Sequence, residues 1–381
     1  MPTHNRLAAY DVMRIVAIVA VLLNHLPAYH IYHDGQGAAA VCGLVLSVGI
    51  RIGVPLFAMV SGALLLGRNE SYHDLWRKRI VRMLLVIVIF EALLYVEFHF
   101  TRGTALSFAE FLRGMLAGTL PGTTSYWFLY AYLGFLIMLP FLRRVAQAMT
   151  RADFLWLLGV HVVLTTGPIV AEFVSACCGW PELKLSSALA VSLSSVTLYF
   201  YPLIGYWVDR NIDVQRLTRR QWRLIAFVTL LGIALSGAMT GYYIHRFGGS
   251  TQSYLGLTVY LTAIAIFLAV KRLFDTDFAQ RRPRLNRALC LVGSLVFGVY
   301  LMDQHLKLVL YEPLQQVLTS SLQPPKTPST SPEGGVISAA APITSYLLPL
   351  TSSLVWCAVT FTLCGAVTWL LKRLPVFRKL L

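Results

Sequence analysis

The chain has 381 residues, 57% of them hydrophobic and 13% charged, with a mean hydropathy of +0.66. A soluble domain of this length would carry roughly twice that charged fraction, so composition excludes a soluble globular fold. Apolar runs of about 20 residues, rather than alternating ten-residue segments, exclude a β-barrel and imply an all-α, polytopic integral membrane protein. The net charge of +15 does not point to nucleic acid, because the basic residues are concentrated between the runs, on one side of them.

In chain order the runs predict about ten transmembrane helices, at 8–29, 42–66, 80–98, 126–142, 154–176, 187–207, 223–244, 254–270, 287–311 and 346–371. Residues 106–120, LSFAEFLRGMLAGTL, are too short and mixed to cross and read as an interfacial helix. With the N-terminus inside, 24 of the 32 Lys and Arg residues fall in inner segments, five in outer segments and three within spans. Both termini are therefore expected in the cytoplasm. The first span lacks a small-residue cleavage site and reads as retained. No internal repeat is visible. Residues 1–381 read as one transmembrane domain, with no soluble domain expected at either end. A Pro-, Ser- and Thr-rich outer stretch within 313–345 reads as a flexible loop. The six cysteines form no CxxC and no metal-ligand spacing, so no metal is expected.

Ionisable groups inside spans are costly and invite a functional reading. In the first span, DVMRIVAIVAVLLNHL, Arg14 and His25 are eleven residues apart. That spacing is three helical turns plus about 20°, so both point one way, roughly 16 Å apart along the axis. Asp11 lies within reach of Arg14. Arg14 is open to two readings, snorkelling to the inner headgroups or lining a polar site. His25 likewise suits either an interhelical hydrogen bond or chemistry. In the second span Arg51 precedes Gly53 and Pro55, which should disturb the helix and free carbonyls there. A span that simply starts near residue 51 is the alternative. Arg79 and Arg82 open the third span on one helical face, a pairing that suits either topology or a phosphate. Trp127 opens the fourth span, where an interfacial anchor is the default reading. In the ninth span Asp303, His305 and Lys307 alternate, which spreads them around the helix. Glu91, His161 and Glu172 are each alone in their segments and read as core hydrogen-bonding groups.

Taken in order, these residues resemble the acyltransferase 3 family of bacterial membrane-bound acyltransferases. Arg14 and His25 match its first-span pair. Val54, Pro55, Leu56, Phe57, Ser61 and Gly62 match its VPLFxxxSG element, Arg79 and Arg82 its RxxR, and Trp127 its WFL. Gly298, Tyr300 and Leu301 match a late GxYLxH element, but Asp303 stands where that element has its histidine, with His305 two positions on. The resemblance is clearest over residues 8–135 and 290–305. It implies transfer of an acyl group, commonly acetyl, from cytoplasmic acyl-CoA to a hydroxyl of a cell-surface or exported glycan or its lipid-linked precursor, in the bacterial inner membrane. Acetyl-CoA or another acyl-CoA is then the donor substrate, and no metal is called for. On that reading Arg79 and Arg82 hold the donor's phosphates and Arg14 steadies its arm. His25 is general base or is itself acylated, and Asp303 orients it. Arg51, Trp127, Tyr300 and His305 are the remaining substrate-side candidates, with Arg51 also suited to an oxyanion. A multi-span transporter or flippase is the competing reading, and a subunit of an export complex without chemistry of its own a third.

Overall fold

The computed structural model describes residues 8–25, 46–103, 106–181, 199–247, 257–311 and 344–381, and among them every regular element is helical. In chain order these are α1 (Ala9–Asn24), α2 (Leu46–Leu65), α3 (Val81–Arg102), α4 (Phe108–Ala117), α5 (Trp127–Ala148) and α6 (Arg151–Cys178). Then follow α7 (Phe200–Asn211), α8 (Arg219–Phe247), α9 (Val259–Leu273), α10 (Pro283–Leu306), α11 (Thr344–Leu371) and the short α12 (Pro375–Leu380). Six helices among the described residues are long and apolar enough to cross a membrane: Leu46–Leu65, Trp127–Ala148, Arg151–Cys178, Arg219–Tyr243, Pro283–Leu310 and Ser353–Leu371. The other four expected spans fall on α1, α3, α7 and α9. The outer loop expected at 313–345 lies outside the described residues, except for 344 and 345, which open α11.

Helix α1 sits at the centre and packs against α2, α9, α10 and α11. Its Met13, Ala17, Ile18 and Leu22 join Leu56 and Met59 of α2, Phe90 of α3, Phe135 of α5 and Phe267 of α9 in one core. Large apolar side chains on the outer faces, such as Leu85 and Val88 of α3 and Leu230 and Leu231 of α8, are exposed. Such a surface would be a liability in water and is the natural one against lipid. Helix α2 is interrupted at Arg51 and Ile52. Pro55 has no N–H to offer the carbonyl of Arg51, so the helix loses its hydrogen bond at that turn, as the Gly53–Pro55 pattern predicts.

Helices α2 and α7 approach so closely that glycine is required on both sides. A Cβ on Gly62 would lie 1.9 Å from the carbonyl oxygen of Pro202, and one on Gly205 would lie 2.2 Å from that of Met59. Helix α4 covers the segment that reads as too short and mixed to cross. Ser107 and Glu110 close a capping box at its start, and Gly118, at φ +64°, ends it in the left-handed region. Before the N-terminal end of α3 a short helix, Tyr72–Leu75, runs into a π-helical turn, Trp76–Ile80, which carries Arg77, Lys78 and Arg79. Ser71 caps this lead-in by accepting from the Asp74 N–H at 3.1 Å. The turn thus presents basic side chains at the foot of the bundle.

Candidate active site

The site begins on one face of α1. Asp11, only 1% exposed, pairs with Arg14 at 3.2 Å. It fits because α10 has a glycine opposite: a Cβ on Gly293 would meet the Asp11 Cβ at 2.4 Å. Three turns further out the helix ends at His25, whose N–H still bonds the carbonyls of Val21 and Leu22. Its own carbonyl accepts from Lys307 Nζ at 2.8 Å, so Lys307 turns back onto the helix end. The His25 Nδ1 lies 2.6 Å from Oδ2 of Asp303, which is 3% exposed. Gln304 Nε2 donates to the same carboxylate oxygen at 3.2 Å. A carboxylate acceptor on Nδ1 places the proton there and leaves Nε2 as the basic nitrogen. This is the geometry in which a buried acid fixes the tautomer and direction of an imidazole.

His25 and Arg14 line one cavity of about 380 Å³. One end carries Lys78, Arg79 and Arg82, the middle Phe57, Phe128 and Phe297, and the opposite end Asn24, Ser125, Trp127 and Tyr300. Phe128 is the hub of the aromatic part, with ring centroids 6.2 Å from Phe57, 6.2 Å from Trp127, 5.9 Å from Tyr132 and 5.8 Å from Tyr300. Tyr300 donates to the Ser125 carbonyl at 2.5 Å, which secures the turn before Trp127. One continuous space therefore joins the basic rim to the imidazole.

Two of the substrate-side candidates do not line this cavity. Arg51 sits half-buried at the break in α2. His305 faces away from Asp303, because two residues on a helix are about 200° apart. Its Nδ1 meets Glu97 Oε2 of α3 at 2.8 Å, and its Nε2 lies 3.2 Å from the Tyr126 hydroxyl. That hydroxyl donates to the Leu301 carbonyl at 2.7 Å. His305 thus holds the turn that leads into Trp127 rather than reaching the cavity. His161 stacks on Phe200 at 3.7 Å, and Glu91 meets the Tyr130 hydroxyl at 2.7 Å. The same hydroxyl touches the Met115 carbonyl, which joins α5 to α4.

At the basic rim the arginines are held by groups that the sequence does not single out. Arg79 Nε donates to both oxygens of Glu70, at 3.1 and 2.9 Å, and Arg143 Nη2 donates to Glu70 Oε2 at 3.0 Å. Burial pushes the Glu70 carboxyl up, but the hydrogen bonds from Arg79 and Arg143 outweigh it, and the group titrates below its ordinary value. A carboxyl with a depressed folded-state pKa adds stability above its unfolded value of about 4.3, and that stability is lost as pH falls through the lower folded value. Melting curves should therefore show the wild-type protein losing stability over that acid window. Glu70→Gln should be less stable at neutral pH and flatter across the window. Parallel curves for the two proteins would remove Glu70 from the role of clamp.

Among the described residues, membrane-length apolar helices surround a cavity lined by basic and aromatic side chains, which defines a membrane protein with an internal site. The chain belongs to the acyltransferase 3 family: the family model, described as an acyltransferase domain, matches residues 7–372. No curated protein and no solved structure matches it. The protein is thus a membrane acyltransferase, and His25, Arg14, Arg79, Arg82, Trp127 and Tyr300 all line the cavity within the matched region.

Proposed function

We propose that the protein transfers an acyl group, acetyl above all, from acyl-CoA on the cytoplasmic side to a hydroxyl of a glycan or a lipid-linked glycan precursor. The observation that carries this reading is the continuity of the cavity from Lys78, Arg79 and Arg82 to His25. Guanidinium forks suit phosphate oxygens, and the rise of roughly 16 Å from Arg14 to His25 matches the reach of a pantetheine arm. The acyl thioester then lies beside His25, with Arg14 along the arm.

In the chemistry we favour, His25 Nε2 takes the proton of the acceptor hydroxyl as its oxygen attacks the thioester carbonyl. The C–S bond breaks, the ester forms, and the proton passes to the departing thiolate to give CoA. Asp303 steadies the imidazole and balances its transient charge. A route through acylated His25 uses the same contacts. Ten spans with both termini in the cytoplasm, in a bacterial inner membrane, fit the distribution of basic residues and put the basic rim on the donor's side. Purified protein given labelled acetyl-CoA should release CoA slowly, and faster with a glycan hydroxyl acceptor. Protein that leaves the thioester intact under both conditions would end this reading in favour of transport.

A further inference from the structure

We propose that α12, which lies beyond the region matched by the family, completes the donor-phosphate site by holding Arg82. This rests on the acyl-CoA reading above. Arg82 donates from both Nε, at 3.1 Å, and Nη2, at 3.0 Å, to the carbonyl oxygen of Leu380. Two bonds to one acceptor fix the plane of a guanidinium that would otherwise sweep through many rotamers. They leave the Nη1 donors unused by that carbonyl and the side chain still in the cavity wall. Arg79 is fixed through its Nε by Glu70 in the corresponding way.

The hold is built rather than incidental. Leu380 and Leu381 are 6% and 8% exposed, α12 packs against α3, and Leu381 itself lines the cavity. Just before α12, Lys372 Nζ donates to the carbonyl of Ser294, another wall residue, at 2.5 Å. The chain after α11 thus braces the inner half of the cavity at two points, and one of them is an arginine suited to a phosphate. A pre-oriented fork loses less freedom when it binds, so the bracing acts on affinity for a phosphate-bearing donor rather than on the acyl-transfer step.

The experiment compares acetyl-CoA with acetyl-pantetheine, which carries the same thioester and no phosphate. Two variants of the 381-residue chain are used: one ended after Arg373, and the double substitution Leu380→Ala with Leu381→Ala, which loosens the anchor if the shortened chain does not fold. For the variant that melts like wild type, KM for acetyl-CoA should rise by up to about tenfold, the scale of ordering one long side chain on binding. Its kcat should stay within about twofold and KM for acetyl-pantetheine should not move. If KM rises equally for both donors, or moves for neither, α12 is only a structural end of the bundle. A wild-type enzyme with equal KM for the two donors would remove the phosphate site and the donor reading together. A wild type that discriminates between them, with unmoved variants, overturns the role of α12 alone.

Discussion

Replacing His25 with alanine is expected to abolish acyl transfer while folded protein still accumulates in the membrane. The side chain stands at the end of α1, beyond the buried Met13, Ala17, Ile18 and Leu22 that anchor the helix. The His25 carbonyl that accepts from Lys307 belongs to the main chain and survives the substitution. What is lost is the basic nitrogen in the cavity wall. A positioned base is worth about 10²–10⁴ in rate, and a nucleophile is worth the whole reaction. Asp303→Asn tests the same pair from the other side. An amide can turn its NH₂ towards Nδ1, which moves the imidazole proton to Nε2 and leaves no base facing the acceptor. A fall in kcat of about 10² or more is expected, with donor KM little changed. An active His25→Ala enzyme would end the catalytic assignment. An Asp303→Asn enzyme with wild-type kcat would reduce Asp303 to a packing role.

The two variants also mark where sequence reasoning stops. That Arg14 and His25 share a face follows from 100° per residue and needs no partner helix. The same arithmetic separates Asp303 from His305, and Gly53 with Pro55 locates the break in α2. The short, mixed composition of residues 106–120 marks α4 as a helix that does not cross, and its capping residues set where that helix starts and stops. That Asp303 is the acid facing His25 is expected from the family resemblance alone, not from spacing. Asp303 is 278 residues away in the chain, and the pairing exists because α10 lies against α1 with Gly293 over Asp11. No periodicity within either helix encodes that register. The basic rim is half legible for the same reason. Arg79 and Arg82 are evident as an i, i+3 pair, but their holders are a loop carboxylate, Glu70, and a main-chain carbonyl, that of Leu380. A main-chain group leaves no trace in residue identity. Glu97, which fixes His305, offered one signal, as an acid in the outer part of a span.

A family motif can mix chemistry with packing, and Gly62 separates the two. It closes the VPLFxxxSG element, whose Val54, Phe57 and Ser61 line the cavity, yet Gly62 does not line it. Its place is the α2–α7 contact, where a Cβ would come 1.9 Å from the Pro202 carbonyl oxygen and 2.5 Å from the Pro202 Cα. Those are main-chain atoms, so no side chain can rotate away, and the whole of α7 would have to move. Gly205 meets Met59 in the same way from the opposite side, so the two helices cannot separate at one point and stay closed at the other. Gly62→Ala should therefore cost more than the roughly 1–3 kcal/mol usual for overpacking by a methyl group. It should appear as loss of folded protein on extraction and a lowered melting temperature. Any protein that does fold should keep donor KM near wild type, because the cavity lining is intact. Ser61→Ala, one residue earlier on the cavity side, should leave the melting temperature nearly unchanged. A stable Gly62→Ala protein with altered donor KM would place the glycine in the site rather than in the helix contact.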